Sequence, residues 1–283
     1  MVYFIYNPNA GNKSNRYRQE LIKRIQKIPN STLVLTERPH HAHEIIQDLL
    51  PLKPDRIIAI GGDGTVNELG SALIGTDIPM GIIPLGSGNG LARHLGIPMS
   101  TNQAIQKALQ SNFIEIDVLS WNNRPFFCTA GIGFDAEVAA LFHQGNGRGL
   151  FNYIKASLKA ISQYKETELL IGTDDKQPIF SLTIANANQF GNNAFISPTS
   201  NLQDALFEIV KIKSGKFHQI AQLGISLFLK RIHKHQLVEI QQANSIQLKA
   251  PMGTYYHIDG ESLQTETDII SVELMSAKLK VIC

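Results

Sequence analysis

The stretch Ile57–Leu69, IIAIGGDGTVNEL, constrains this chain more than any other. Four apolar residues, Ile57 to Ile60, predict a buried strand. Gly61, Gly62 and Gly64 then crowd a turn around one acid, Asp63. Thr65 and Glu68 follow at capping-box spacing, which predicts a helix opening at Thr65. A strand, a glycine turn and a helix N-terminus, in that order, make an anion site. Glycine lets a phosphate reach the backbone, and the first helical turn offers unpaired N–H groups. Asp63 is foreign to a plain phosphate cradle, because a carboxylate repels phosphate. It fits if a divalent cation stands between the two, or if it takes a proton from an attacking hydroxyl. The plain alternative is a tight turn with a polar tip.

The first third of the chain repeats the pattern. Val2–Tyr6, Thr32–Leu35 and Met80–Ile83 read as further strands. Asn15–Gln26, Ala42–Leu50 and a segment capped by Ser100 and running through Leu109 read as helices. Such alternation predicts an open parallel sheet, whose ligands bind beyond the carboxyl ends of the strands. The loops after three strands are all polar and small: Asn7–Lys13, Gly61–Thr65 and Gly86–Asn89. Core packing does not predict that coincidence. In the last of these, GSGNGLAR, the residues Gly86, Ser87 and Gly88 allow close backbone approach. Asn89 can donate to a phosphate or hold the loop. Arg93, one turn into the next helix, either reaches an anion or is simply solvated. Neither glycine loop has Walker A or GxGxxG spacing. No GxSxG elbow is present to make Ser87 a nucleophile.

Beyond Leu119 the pattern changes. Short strand signals at Glu168–Ile171, Phe180–Ala185, Phe207–Lys213, Val238–Gln242, Ser245–Leu248, Tyr255–Ile258 and Asp268–Leu274 predict an antiparallel sandwich. Helical patterns at Phe151–Ile161 and Phe217–Arg231 interrupt it. The reading is two domains, residues 1–122 and 123–275, with a hinge near Ser120–Pro125. In TAGIGFDAEV, Thr129–Val138, Asp135 sits at a strand–helix junction, as a helix N-terminal acid or a polar contact for a substrate. Arg148, in GNGRG, either reaches a phosphate or faces solvent. The run His257–Glu261, HIDGE, is either an exposed hairpin turn or a device that brings Glu261 toward Asp63 as a second carboxylate.

Composition removes several classes. A net charge of +2 over 283 residues leaves no broad nucleic-acid footprint. No apolar run approaches the ~20 residues of a membrane span. The start, MVYFIYNPN, goes straight into a strand pattern and lacks signal-peptide features. Cys128 and Cys283 are far apart and lack metal spacing, so a reducing, cytoplasmic setting is the simplest reading. The clusters His40, His41, His43 and His233, His235 lack HExxH spacing. Lys230, Arg231 and Lys234 make a basic helix end, either solvated or touching an anionic bilayer.

Together these motifs resemble the diacylglycerol kinase catalytic-domain family, which includes bacterial lipid kinases and the sphingosine and ceramide kinases. NPNAG at Asn7–Gly11 is similar to the family's first nucleotide loop, and TERPHHA at Thr36–Ala42 to its second motif. GGDGTVNEL is similar to its signature, PLGSGNGLAR to the next motif, TAGIGFDAEV to the entry into the second domain, and DGE at Asp259–Glu261 to the C-terminal catalytic segment. The resemblance spans almost the whole chain in the expected order.

It implies an α/β nucleotide-binding domain of the NAD kinase and diacylglycerol kinase type, followed by a mainly antiparallel β-sandwich domain. ATP and lipid would lie in the cleft between, and residues 276–283 would rejoin the first domain. Asp63 and Glu261 become the catalytic carboxylates. Nucleotide contacts fall to Asn7, Asn9 and Gly11 in the first loop and to Thr36 in the second motif. In the signature they fall to Gly62, Gly64, Thr65 and Glu68, and in the last loop to Gly86, Ser87, Gly88, Asn89 and Arg93. Asp135 corresponds to the acid that contacts the head group in sphingosine-type members, and Arg148 falls near their phosphate-binding arginines. Mg²⁺ would accompany ATP through Asp63, and Asp204 matches a loop that holds a structural metal, here with Ala205 in place of the usual glycine.

Gly90 stands where diacylglycerol-type bacterial members carry an Asp, so the loop is closer to the sphingosine and ceramide type. The implied reaction is ATP-dependent transfer of the γ-phosphoryl group to a hydroxyl of a sphingoid base, ceramide or diacylglycerol. The alternatives are an NAD kinase-like enzyme, which shares GGDGT, and a nucleotide- or lipid-binding protein without turnover. A lipid substrate implies a cytoplasmic protein in transient contact with a membrane surface. No nucleic-acid partner is expected, and a homodimer is left open.

Overall fold

The computed structural model describes residues 1–11, 13–144, 164, 166–172 and 177–283. They fall into two units: Met1–Ile116 with Ala277–Cys283, and Asp117–Ser276. Arg148 and the Phe151–Ile161 pattern lie outside the described residues.

The first unit runs β1 (Val2–Tyr6), α1 (Asn15–Ile25), β2 (Ser31–Leu35), α2 (His41–Leu49), β3 (Arg56–Gly61), α3 (Asp63–Leu73), β4 (Met80–Pro84), α4 (Gly90–His94), α5 (Thr101–Ala108) and β5 (Phe113–Ile116). The C-terminal strand Leu279–Ile282 (β18) completes its sheet, in the order β2-β1-β3-β4-β18-β5. The first four strands are parallel, β18 runs parallel to β4, and β5 closes the edge antiparallel. A parallel strand covered on both faces reads as a continuous apolar run, and Ile57, Ile58, Ala59 and Ile60 are fully buried. The register pairs Tyr6 with Leu35 and Ile60, and Gly61 with Pro84, so four strand ends share one sheet edge.

The second unit contains β6 (Leu119–Trp121), β7 (Arg124–Phe126), β8 (Thr129–Gly133), α6 (Phe134–Gln144), β9 (Thr167–Ile171), β10 (Gln177–Ile179), β11 (Ser181–Ala185) and β12 (Phe207–Ile212). It continues with α7 (Phe217–Phe228), β13 (Val238–Ala243), β14 (Ser245–Lys249), β15 (Tyr255–Ile258), β16 (Glu261–Gln264) and β17 (Ile269–Leu274). These strands form two antiparallel sheets, β10-β9-β14-β17-β6-β7 and β13-β12-β11-β8-β15-β16. Trp121, Phe126 and Val272 of one sheet share a core with Ile132, Ile184 and Phe207 of the other, and Trp121 stacks on Tyr256 at 5.3 Å. α7 packs Ile220 and Leu223 with Val210 and Ile212 in a second cluster. The architecture is an α/β domain followed by an antiparallel sandwich, as the sequence predicts.

Two local expectations are corrected. α3 opens at Asp63 with Gly62 as its N-cap, so the capping box at Thr65 does not form. Thr65 Oγ1 instead accepts from the Asn7 side chain at 3.1 Å, and Glu68 accepts from the His40 backbone N–H at 3.2 Å. Nor is Ser120–Pro125 a hinge. It is the β6–β7 hairpin, pairing Trp121 with Arg124. Asn122 and Asn123 take φ of 46° and 66°, the left-handed pair that a two-residue turn of this hand requires.

Candidate active site

The strongest constellation stands at the carboxyl edge of the first sheet. The loop after β1 begins at Asn7, whose N–H donates to the Ile60 carbonyl of β3 at 3.0 Å. Its side-chain oxygen accepts from the Asn9 N–H at 2.9 Å, a local turn that folds the loop back. Gly11 follows at φ 67°, and a Cβ there would stand 2.0 Å from the Leu85 carbonyl oxygen after β4. Only glycine permits that approach. The loops after β3 and β4 touch as closely. A Cβ on Gly86 would lie 2.6 Å from the Gly62 Cα and 2.8 Å from Asn89 Oδ1. The Leu85 N–H also donates to the Gly61 carbonyl at 2.7 Å.

Asp63 joins the two glycine loops. Its Oδ2 accepts from the Asn89 N–H at 2.8 Å and its Oδ1 from the Gly90 N–H at 2.7 Å. The carboxylate thus sits at the start of α4, where backbone donors and the helix dipole favour negative charge. Asn89, left-handed at φ 54°, turns its amide to the Gly86 carbonyl at 2.8 Å. Arg93 Nε donates to the Gly88 carbonyl at 3.0 Å. Asn89 and Arg93 therefore shape the loop from within, while Ser87 and Gly88 remain partly exposed beside it. Thr36 is buried at the end of β2, its N–H on the Tyr6 carbonyl at 2.9 Å. Gly64 is exposed, with nothing within 4 Å of the place a Cβ would take.

Sequence reasoning missed Tyr6 and Arg18. The Tyr6 hydroxyl and Arg18 Nε are buried without a hydrogen-bond partner among the described residues. Burial raises the Tyr6 phenol above its ordinary range, and the nearby Arg18 guanidinium pulls it the other way. An aromatic residue ending a strand, with its cation on the following helix, carries no local sequence signal.

The second unit places the remaining candidates. Asp135, at the start of α6, is 9% exposed. Its Oδ1 accepts from the Ala136 N–H at 2.9 Å and its Oδ2 from Thr183 Oγ1 at 2.7 Å. Buried His257 brings Nε2 to 3.1 Å from the same Oδ2. Its Nδ1 is buried and unpartnered among the described residues. Gly131 makes room for this cluster, since a Cβ there would lie 2.8 Å from Asp135 Oδ2 and 3.0 Å from His257 Nε2. Thr183 and His257 are thus partners that the sequence reading did not assign.

In the DGE segment Asp259 is a structural clasp. Its carboxylate accepts from the N–H groups of Phe127, Cys128 and Thr129 at 3.1, 2.8 and 3.1 Å. Glu261 begins β16 and is exposed. Asp204 accepts from the Leu206 N–H at 3.1 Å, and the Ala205 N–H donates to Asp117 Oδ2 at 2.8 Å. Ala205 holds φ 60°, the conformation that explains a glycine in this place.

Among the described residues, no three of His, Cys, Asp and Glu gather as a metal-ligand group. The Asp204 loop therefore offers two carboxylates already bonded to backbone and no protein cage. Asp63 suits Mg²⁺ differently. That ion is commonly held by one or two carboxylates together with substrate phosphates. Asp63, at the junction of the two glycine loops, is a carboxylate of that kind.

The chain matches the diacylglycerol kinase catalytic domain model over residues 1–121 and the YegS C-terminal NAD kinase beta sandwich-like domain model over residues 128–283. An uncharacterized protein of Synechocystis is 29% identical over 252 residues, 82% of this chain and 58% of that protein. The chain thus spans somewhat over half the length of that relative. A diacylglycerol kinase of Mycobacterium tuberculosis is 27% identical over 235 residues, covering 78% of this chain and 75% of its own. A "Probable lipid kinase YegS" of Shigella boydii is 26% identical over 249 residues, 84% and 81% respectively. Among solved structures, a diacylglycerol kinase from Bacillus anthracis superposes with a TM-score of 0.72 at 21% identity, covering 99% of this chain and 96% of that one. An NAD kinase from Archaeoglobus fulgidus in complex with ATP reaches 0.53 at 14% identity, covering 100% and 94%, a likeness of fold alone. Two domain models matched in succession, over an α/β unit with interlocked glycine loops and the sandwich unit that follows it in the chain, establish that the chain belongs to the diacylglycerol kinase and YegS-type family of lipid kinases.

Proposed function

We propose that this chain transfers the γ-phosphoryl group of ATP to a hydroxyl of a lipid. The observation that carries the reading is the convergence of three glycine loops on one sheet edge, two of them joined by Asp63 and the first held against Leu85 through Gly11. Phosphoryl transfer needs little covalent chemistry from a protein; it needs positioning, charge neutralisation and a proton acceptor. The backbone at Gly62–Gly64 and Ser87–Gly88, half-buried except at exposed Gly64, would supply donors for phosphate oxygens. Mg²⁺, held through Asp63, would neutralise charge on the phosphates. Asp63, with both oxygens bonded to backbone N–H groups, serves as contact and lock. Glu261, exposed on β16, is the proposed proton acceptor.

The acceptor head group turns on Asp135. Its oxygens already take donors from Ala136, Thr183 and His257, which leaves little for an ammonium. A neutral lipid alcohol is therefore the first reading. A sphingoid base is the second, favoured by Gly90 in the GSGNGLA loop.

The deciding experiment offers ATP with a broad lipid extract and reads products by mass spectrometry, with diacylglycerol, ceramide, sphinganine and NAD as separate arms. A phosphorylated neutral lipid is expected. Turnover of NAD alone would end the lipid reading. Tight ATP binding with no phosphorylated product would leave a binding protein. If sphinganine is the preferred acceptor and Asp135→Asn raises its KM selectively, the second reading replaces the first.

A further inference from the structure

α7 carries apolar residues on two faces. Ile220 and Leu223 are buried in the cluster beside Val210 and Ile212. Phe217, Ala221, Ile225 and Phe228, three or four residues apart, line a second face, and Leu229 extends it. That face is in water: Phe217 is 68% exposed, Ile225 61%, Leu229 58% and Phe228 43%. Single exposed apolar residues are ordinary, but four large ones in a row mark a contact surface.

Charge says what covers it. From Lys213 through Val238 the sequence holds five Lys or Arg residues and no Asp or Glu. Lys213 is paired with Glu239 of β13. Lys216 stands exposed at the start of the helix, and Lys230, Arg231 and Lys234 stand exposed just past its end. Lys230 also covers the Phe195 ring at 4.3 Å. An exposed apolar stripe with cations at both ends suits a helix lying in the head-group layer of an anionic bilayer. A second copy laid on the same face would bring like charges together.

We propose that α7 and the basic segment after it dock this protein on anionic lipid bilayers. The proposal gives the lipid-kinase reading its route to a membrane-borne substrate, but its test needs neither nucleotide nor turnover. The full chain is sedimented with phosphatidylcholine vesicles, with and without phosphatidylglycerol. Binding is expected only with phosphatidylglycerol, and to weaken as salt rises. Ile225→Asn combined with Phe228→Asn should lower the vesicle partition coefficient about tenfold. Lys230→Glu, Arg231→Glu and Lys234→Glu together should remove the preference for phosphatidylglycerol. Both variants should stay folded, since every altered side chain is exposed, and the charge variant should give up only the contact of Lys230 with the Phe195 ring.

Vesicle binding without any lipid phosphorylation would keep the docking surface and end the kinase reading. Three results would overturn the docking surface: no binding by the wild type, equal binding by wild type and both variants, or a lipid-free dimer in ultracentrifugation that Ile225→Asn with Phe228→Asn dissolves. The last would assign the stripe to a second copy.

Discussion

A carboxylate that accepts two backbone N–H groups cannot be exchanged for an amide without loss. Asp63→Asn offers one acceptor oxygen where Asp63 uses two, so the Asn89 or the Gly90 N–H would face an NH₂ group. A part-buried donor left unsatisfied costs about 1–3 kcal/mol. The variant should therefore unfold at lower temperature and also lose at least ~10² in kcat. Wild-type kcat in Asp63→Asn would refute the assignment. Gly86 and Gly64 separate packing from ligand approach. Gly86→Ala would press its methyl onto the Gly62 Cα, so stability and activity should fall together. Gly64 has no neighbour within 4 Å, and alanine is the better helix former by up to ~1 kcal/mol. Gly64→Ala should keep or raise Tm while weakening ATP binding in calorimetry. Unchanged ATP affinity there would mean that no phosphate approaches that backbone.

At the scale of elements, the β15–β16 hairpin shows how a turn signal hides a second role. Asp259-Gly260 announces a turn in the sequence, and the residues do adopt φ of 46° and 85°. The grip of the Asp259 carboxylate on Phe127, Cys128 and Thr129 depends on a segment some 130 residues away. Asn suits the turn equally, so Asp259→Asn isolates that grip. A loss of about 1.5–3 kcal/mol in urea unfolding is expected; no loss would show that the clasp contributes nothing.

On β12, Glu208 is buried between Ser200 and Gln242, and burial raises its carboxyl above the ordinary range. A carboxyl raised in the folded state is favoured while protonated. Its contribution is complete below the unfolded-state pKa and is lost as pH climbs through the folded-state value. Tm should fall across that window, and Glu208→Gln should flatten the fall and raise Tm at neutral pH. Parallel pH profiles for the two proteins would sink the idea.

The strands were legible because Ile57–Ile60 is uniformly apolar and later segments alternate. The helix start at Asp63 was not, since Thr65 is claimed by Asn7 from 58 residues away. The Asn122–Asn123 hairpin lacks the glycine that marks such turns most clearly. The Asp135 cluster joins residues separated by 48 and 122 positions, beyond any local pattern.

For the whole molecule, the decisive element is the last strand. β18 lies between β4 and β5, so the first unit's sheet is completed by residues that follow the entire second unit. Leu279 and Val281 are fully buried and Ile282 nearly so. Lys280 pairs with Asp77 at 2.6 Å on the outside. Each buried aliphatic side chain contributes about 1.5–3 kcal/mol, so three of them weigh heavily against a total stability of about 5–15 kcal/mol. Deleting residues 277–283 touches no candidate site residue, yet it strips β4 and β5 of their shared partner. ATP affinity should fall sharply, and the far-UV signal of the first unit should melt early. Trp121, the only tryptophan, sits in the sandwich core against Tyr256 and reports on the second unit alone. Its fluorescence transition should persist in the truncated chain. If ATP affinity survives the deletion, the sheet does not need β18 to hold the glycine loops. If the Trp121 transition is lost with it, the two units unfold as one.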